Sequence, residues 1–294
     1  MGAHPSDDEI IAAIQKSGYL LEQEVASKIE ALGFHVETNT AFTDPEEGKS
    51  REIDVRAFKQ IAKNEELKIA VNCEFLIECK NTSNPFVFFG RQKNSSDNVF
   101  HRRPEFHFPI EEYEARKPDS SGQVRIRERT AFHHLGFDKV HYRFLDPLKA
   151  VQFCRIDRKG SHWRADHGGL YDSIFYPMAK AVMNSKQQIP SPQRFHDSWR
   201  FIWFIFPTVV LNSNLLFVDS EKEPIKLESR EYVSFSRQIK SEHLSDRFSI
   251  DFVRLNALEK FYNECAKPTL DHAAKIVLDQ PQFLLTKDID WNFA

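Results

Sequence analysis

The sequence predicts an α/β protein with a central mixed β-sheet flanked by helices. Three observations predict it. Helical periodicity opens the chain and leads into three strand-like segments with short connections, which favours antiparallel pairing. Farther on, a helical stretch feeds a nearly unbroken apolar run at 201–210, the pattern of a strand buried on both faces and reached by a parallel crossover. No internal repeat or low-complexity tract divides the 294 residues, so one elaborated domain over 1–294 is the economical reading.

Each element has its own signal. Ser6-Asp7-Asp8-Glu9 is a capping-box pattern that starts a helix running through Gln15 and ending near Ser17-Gly18. Leu21, Val25, Ile29 and Leu32 recur at helical spacing over 19–32, and Gly33 stops that helix. Residues 34–38 alternate Phe34 and Val36 against His35 and Glu37, as a half-buried strand does. A polar turn with Asp44, Pro45 and Gly48 precedes a strand at 52–58 that carries Asp54. Lys63-Asn64-Glu65-Glu66 reads as a hairpin turn, and 67–80 as the returning strand.

Residues 84–147 lack sustained periodicity and are punctuated by Pro85, Pro104, Pro109, Pro118 and Pro147. They are expected as a loop-rich insertion with short elements such as 124–129 and 129–135. Regular structure is expected to resume at 150–156. A helix at 170–183 follows, with Ile174, Met178, Ala181 and Val182 on one side, and then the apolar strand and a partner at 215–219. The remainder, about 225–294, is expected as an extension with strands at 232–239 and 248–255 and helices from Asn256 and Thr269.

Composition narrows the class. Hydrophobic residues at 41% and charged residues at 28% describe a globular rather than a disordered chain, and 26 phenylalanines point to aromatic packing. The longest apolar stretch, 201–218, is broken by Pro207 and by Asn212-Ser213-Asn214, so it reads as two strands and a turn rather than a membrane span. Cys73, Cys79, Cys154 and Cys265 form no CxxC pair, and no charged-then-apolar leader opens the chain. Buried free thiols in a reducing cytoplasm are therefore expected. No Gly-x-x-x-x-Gly-Lys loop is present, which argues against an intrinsic ATP site. The net charge of −3 excludes a generic, strongly basic nucleic-acid binder, although 81–160 holds 15 Lys/Arg against 10 Asp/Glu.

The chemistry concentrates at Glu78-Cys79-Lys80, which ends the apolar run Phe75-Leu76-Ile77. Residues two apart on a strand share a face about 6.6–7 Å apart, so Glu78 and Lys80 project together while Cys73, Phe75, Ile77 and Cys79 face a core. With Asp54 on a neighbouring strand, such a set can hold a divalent metal and act on a phosphodiester. The bland alternative is a solvated sheet face, with Glu52, Asp54 and Glu74 exposed and Glu78–Lys80 a surface pair of little energetic value.

Asp54 followed by Glu-x-Lys resembles the PD-(D/E)xK nuclease superfamily, of restriction-endonuclease-like fold, whose core runs helix, three antiparallel strands, helix, strand. Asp54 stands at the family's second-strand acid, and Glu78 and Lys80 at its third-strand pair, while Ile53 replaces the usual Pro. Many members, archaeal Holliday-junction resolvases included, carry a first-helix glutamate in a Glu-x(10)-Gly-Phe pattern. Glu22 with Gly33-Phe34 fits it, and Glu24 is the near alternative. The resemblance covers 18–80 well and 170–219 more loosely.

It implies Mg²⁺ or Mn²⁺ held by Asp54, Glu78 and the Cys79 backbone carbonyl, with Glu22 completing the site and Lys80 acting on the attacking water. It implies a metal-dependent nuclease acting on DNA, in repair, restriction or defence, and a homodimer if both strands of a duplex are cut. The alternatives are a catalytically inactive nuclease-fold protein that binds nucleic acid or a protein partner, and an RNA-processing nuclease. Arg102, Arg103, Arg125, Arg127 and Arg129 are candidate phosphate contacts, or a solvated charged strand edge. His133, His134, His162 and His167 with Cys154 match no usual zinc spacing and read as turn or core histidines.

Overall fold

The computed structural model describes residues 4–98, 103–190 and 199–290. Helix α1 (Asp7–Ser17) begins at Ser6, whose hydroxyl accepts from the Glu9 amide while its own amide donates to Glu9 at 2.8 Å. Gly18 ends it with φ at 91°, a left-handed value that costs glycine nothing. Helix α2 (Tyr19–Ala31) turns Leu21, Val25, Ala26 and Ile29 inward. Three antiparallel strands follow: β1 (His35–Thr43), β2 (Ser50–Asn64) and β3 (Ile69–Lys80).

Next come β4 (Phe86–Gln92), β5 (Phe106–His107) and a separate hairpin of β6 (Glu112–Pro118) and β7 (Val124–Thr130). Short helices α3 (Ala131–His134) and α4 (Tyr142–Leu145) lead to β8 (Leu148–Lys159) and β9 (His162–Asp166). Helix α5 (Tyr176–Gln188) precedes β10 (Arg200–Leu211), β11 (Leu215–Asp219), β12 (Leu227–Arg230), β13 (Tyr232–Gln238) and β14 (Arg247–Arg254). Helices α6 (Leu258–Phe261) and α7 (Lys267–Asp279) follow.

The fold is α/β, with helices flanking one large mixed sheet of order β1-β2-β3-β10-β14-β13-β8-β4-β11-β12. Strand β10 runs parallel to β3 along twelve residues, from Arg200↔Ile69 to Leu211↔Lys80, and β14 runs parallel on its other side. Val71, Cys73, Phe75 and Ile77 of β3 meet Leu21, Val25 and Ile29 of α2 and Leu270, Ala273 and Val277 of α7 in one core. Phe75 stacks on Phe206 at 5.0 Å and meets Phe34 edge-on at 5.5 Å. The opposite face of β3 is closed as well: Leu76 packs with Met178, Ala181 and Val182 of α5 in a second core. Glu74 is fully buried there, held by the Arg56 guanidinium at 2.6 Å, the Ser185 hydroxyl and the Trp203 indole. The alternative of a solvated second face on the sheet therefore fails at Glu74, because α5 covers it.

Pro207 is tolerated in this central strand because of where its missing donor falls. Ile205, two residues earlier on the same side, donates to the Glu105 carbonyl at 2.8 Å. On that flank β5 pairs only with Trp203 and Phe204, and β14 begins only at Thr208, so Pro207 sits in the gap between them.

Two expectations about the outer parts of the chain need correction. Within 84–147, expected as a loop-rich insertion, Phe86–Gln92 is an integral strand between β8 and β11, and Phe106, Phe108, Tyr113, Phe132 and Phe137 fill the first core. The prolines flank these elements, while the phenylalanines make them cohere. The stretch expected as an extension from about 225 supplies β14, next to β10 at the sheet's centre, and Leu258, Phe261 and Tyr262 to the same core. Beyond β14 the sheet curls. Phe88 of β4 reaches Phe252 of β14 at 4.9 Å across two intervening strands, with Phe153 and Phe235 between them.

The polar turn between β1 and β2 is anchored to α5 by a buried cation. Lys180, 2% exposed, reaches Asp44 at 2.8 Å and Glu46 at 3.3 Å, and Asp44 also accepts the Glu46 amide and the Arg51 guanidinium. Burial alone would raise the Asp44 carboxyl, but those donors overcome it and hold the carboxyl well below the usual carboxylate range.

Two substitutions test this packing by urea denaturation. At Gly90, in the β4 irregularity, an added Cβ would strike the Phe217 ring and the Lys149 carbonyl. Gly90→Ala is expected to destabilise by about 1–3 kcal/mol. Lys180→Ala, which strips a buried carboxylate of one partner, is expected to cost about 3–5 kcal/mol.

Candidate functional site

Asp54 lies where the sheet releases its strand. The β1–β2 ladder runs from His35↔Phe58 to Thr43↔Ser50 but skips the Asn39–Asp54 position. Asn39 there adopts a left-handed φ of 52°. On the other flank the β2–β3 ladder stops at Val55↔Ile77, one step before Asp54 and Glu78. The Asp54 side chain takes over from the backbone, its Oδ2 accepting the Cys79 amide at 2.7 Å. The facing of β2 changes at the same place: Ile53 packs in the core under α5, whereas Val55 and Ala57 pack in the core under α2 and α7.

Glu78 and Lys80 project together from the end of β3, with Nζ and Oε1 2.5 Å apart and side chains 20% and 30% exposed. They emerge because both covering layers end there. Glu22, half-buried on α2, completes the neighbourhood. Burial raises the Glu22, Asp54 and Glu78 carboxyls above their ordinary range. The charge on Asp54 raises Glu22 and Glu78 further, Glu22 adds to the effect at Glu78, and Lys80 opposes it at all three. The Cys79 thiol packs against the core and is pushed well up by burial first and by these carboxylates second, so it is an inert thiol.

The structure therefore brings Glu22, Asp54, Glu78 and Lys80 into one electrostatic neighbourhood. Among the described residues, no three His, Cys, Asp or Glu side chains are already gathered closely enough to hold a metal ion. Glu24 is exposed, pairs with Lys28 at 3.4 Å, and faces a neighbouring polar cavity of about 460 Å³. That cavity is also lined by Asn212, Asn214 and Arg254.

Sequence reasoning missed these flanking groups. Asn81, directly after Lys80, donates to the Gln15 carbonyl of α1 at 2.8 Å, and the Asn212 amide donates to the Lys80 carbonyl at 3.4 Å. The signal was the parallel pairing itself, since parallel neighbours end on one edge and ligands of α/β sheets gather outside those carboxyl ends.

The arginine candidates lie elsewhere. Arg125, Arg127 and Arg129 alternate along β7 in the separate hairpin, where Arg125 is exposed and meets Asp119 at 3.3 Å. Arg103 is drawn inward toward Ser236 and Ser249 of β13 and β14. Arg102 lies outside the described residues. His133 and His134 belong to α3, and His162 to β9 beside the strand that holds Cys154. No helix among the described residues is long and apolar enough to cross a membrane. Compared with protein-family models, curated proteins and solved structures, the chain matches none significantly.

The raised carboxyls carry a stability sign. Their folded pKa values exceed the unfolded ones, so the folded state binds more protons. Stability linked to Glu22, Asp54 and Glu78 is then fully present below pH 4 and falls as pH rises through the raised values. Asp54→Asn and Glu78→Gln are accordingly expected to raise the thermal midpoint at pH 7, by about 2–4 °C for each kcal/mol of repulsion relieved. The gain should vanish near pH 4, which thermal denaturation across pH checks.

Proposed function

We propose that this chain is a metal-dependent nuclease with a restriction-endonuclease-like core, acting on DNA. The observation that carries this reading is the release of β2 from both neighbouring ladders at Asp54, opposite Glu78 and Lys80 and near Glu22. The order α2, β1, β2, β3, then α5 and a β10 parallel to β3, supports it. So does the donor chemistry: carboxylates held partly dry against their own repulsion are the groups that a hard cation relieves. Among stable folds such clustering is more readily explained by function than by stability.

Mg²⁺ or Mn²⁺ would be held by Asp54, Glu78 and the Cys79 backbone carbonyl, with Glu22 completing the acidic set; it would supply Lewis acidity toward the phosphodiester. The protein's own contributions are specific. The Cys79 amide fixes the Asp54 carboxylate, leaving its other oxygen available. Lys80 pairs with Glu78 in the resting site, and in the proposed reaction it would orient the attacking water and steady charge on the phosphoryl oxygens. The half-exposed Glu22 sets the acidic rim on the α2 side.

The test is cleavage of plasmid, linear duplex, branched DNA and RNA with Mg²⁺ or Mn²⁺. The wild type should cut DNA in preference to RNA, and Asp54→Ala and Lys80→Ala should each lose about 100-fold or more in rate. Undiminished cleavage by either variant would overturn the site. Binding of DNA without cleavage by the wild type would instead identify a noncatalytic member of the fold.

A further inference from the structure

Where β13 meets β8 the sheet is held by a single residue pair, Phe235↔Ala150. Beside that weak junction lies a cavity of about 330 Å³. It is remote from the Asp54 site. Arg247, at its wall, starts β14, and Arg254, seven residues on, stands level with Lys80 through Leu211. That spacing is about 23 Å of strand.

The cavity is lined by five cationic side chains, Lys93, Arg103, Arg143, Lys149 and Arg247. Two carboxylates share the wall, Asp97 and Asp146. The pairing between these groups is incomplete. Lys149 is matched by Asp97, and Arg143 by Asp251 at 2.6 Å. Among the described residues Lys93 donates to the backbone carbonyls of Arg143 at 2.6 Å and Asp146 at 2.5 Å, and the Asp146 and Asp97 charges act on it without a direct contact. Arg103 donates to two neutral hydroxyls, Ser236 and Ser249, and its buried Nε meets no acceptor among the described residues. Arg247 makes no ion pair among the described residues.

A buried carboxylate, Glu105, does counter part of this charge, but its Oε1 is taken by the Ser249 amide and lies 3.6 Å from Arg143. Burial lowers the Arg103 guanidinium to about 10, Glu105 opposes that shift, and the nearby Arg143 and Arg247 charges deepen it. The five cations face four carboxylates, Asp97, Asp146, Asp251 and Glu105, so one positive charge is in excess at a partly desolvated wall, a cost that a bound anion would offset.

The rest of the wall is not polar. Phe144 lies under the Arg103 guanidinium at 5.9 Å, and Leu148 and Val151 stand beside it. We propose that this cavity binds a phosphate-bearing ligand of mononucleotide size, its phosphate among Arg103, Lys93 and Arg247 and its base along the apolar wall of Phe144, Leu148 and Val151. The volume suits such a ligand. Guanidinium and ammonium donors are the groups that recognise phosphate, and an apolar wall of Leu148 and Val151 beside the edge of Phe144 suits a nucleobase. The source is a free nucleotide or the phosphorylated end of a strand, which share this chemistry.

Isothermal titration calorimetry on the full chain tests it, with adenosine monophosphate, adenosine, inorganic phosphate and a 5′-phosphorylated single-stranded oligonucleotide as probes. Adenosine monophosphate or the oligonucleotide should bind, with adenosine and phosphate each weaker by about tenfold or more. Arg247→Ala, which breaks no ion pair among the described residues, should weaken binding by about tenfold or more, and Lys93→Gln likewise. Asp54→Ala should leave it unchanged, which separates this site from the nuclease reading. Preference for the oligonucleotide would identify a strand end as the source, and preference for the monophosphate a free nucleotide. No binding of either at millimolar concentration, equal binding of adenosine or of phosphate, or unchanged affinity in both variants would overturn the proposal.

Discussion

The parallel pairing of β3 with β10 is the constraint on which the rest of the molecule depends. Twelve consecutive residues pair, and helices close both faces of β3, α2 and α7 on one side and α5 on the other. A strand in that position can carry charge only where it is fully partnered. Glu74 meets that condition with Arg56, Ser185 and Trp203. Everywhere else along the buried length β3 is apolar, apart from Asn72. Charge without such a shell must wait for the carboxyl end of the strand, and Glu78 and Lys80 stand there. The parallel partner ends on the same edge, so Asn212 and Arg254 arrive beside them.

Aromatic packing sets the second half of the fold. Phe88, Phe153, Phe235 and Phe252 come from four strands, with Phe88 and Phe252 4.9 Å apart and Phe153 5.0–5.3 Å from each of the other three, which the sheet achieves by curling. The β13–β8 junction keeps one residue pair, and the space beside it is the cationic cavity. The acidic edge and the basic cavity are therefore two consequences of one sheet: strand ends at one place, and strand divergence at the other.

Local pattern made much of this legible. The capping box at Ser6, the helical stripe of Leu21, Val25 and Ile29, and the apolar run before Glu78 depend on near neighbours in the chain, and each formed as its pattern required. The inward facing of Cys73, Phe75, Ile77 and Cys79 followed from strand parity alone. Phe86–Gln92 was hidden because proline punctuation dominated the reading of 84–147, while its partners, β8 and β11, lie some 60 and 130 residues downstream. The burial of Glu74 was hidden for the same reason: Ser185 and Trp203 come from distant elements.

The class of fold and the identity of a small charged set at a strand end were legible in the chain alone, since periodicity, capping and parity are properties of consecutive residues. Where β2 lets go of its neighbours, and hence that Asp54 faces Glu78 across a gap and borrows the Cys79 amide, is set by the folded arrangement of three strands. Folding couples Glu22 electrostatically to Asp54 and Lys80, leaves Glu24 exposed beside Lys28, and draws Arg103 inward beside Arg143 and Arg247. The physical reason is that these relations depend on distance in space and on what each group loses when water is removed, and neither is written in the spacing of residues along the chain.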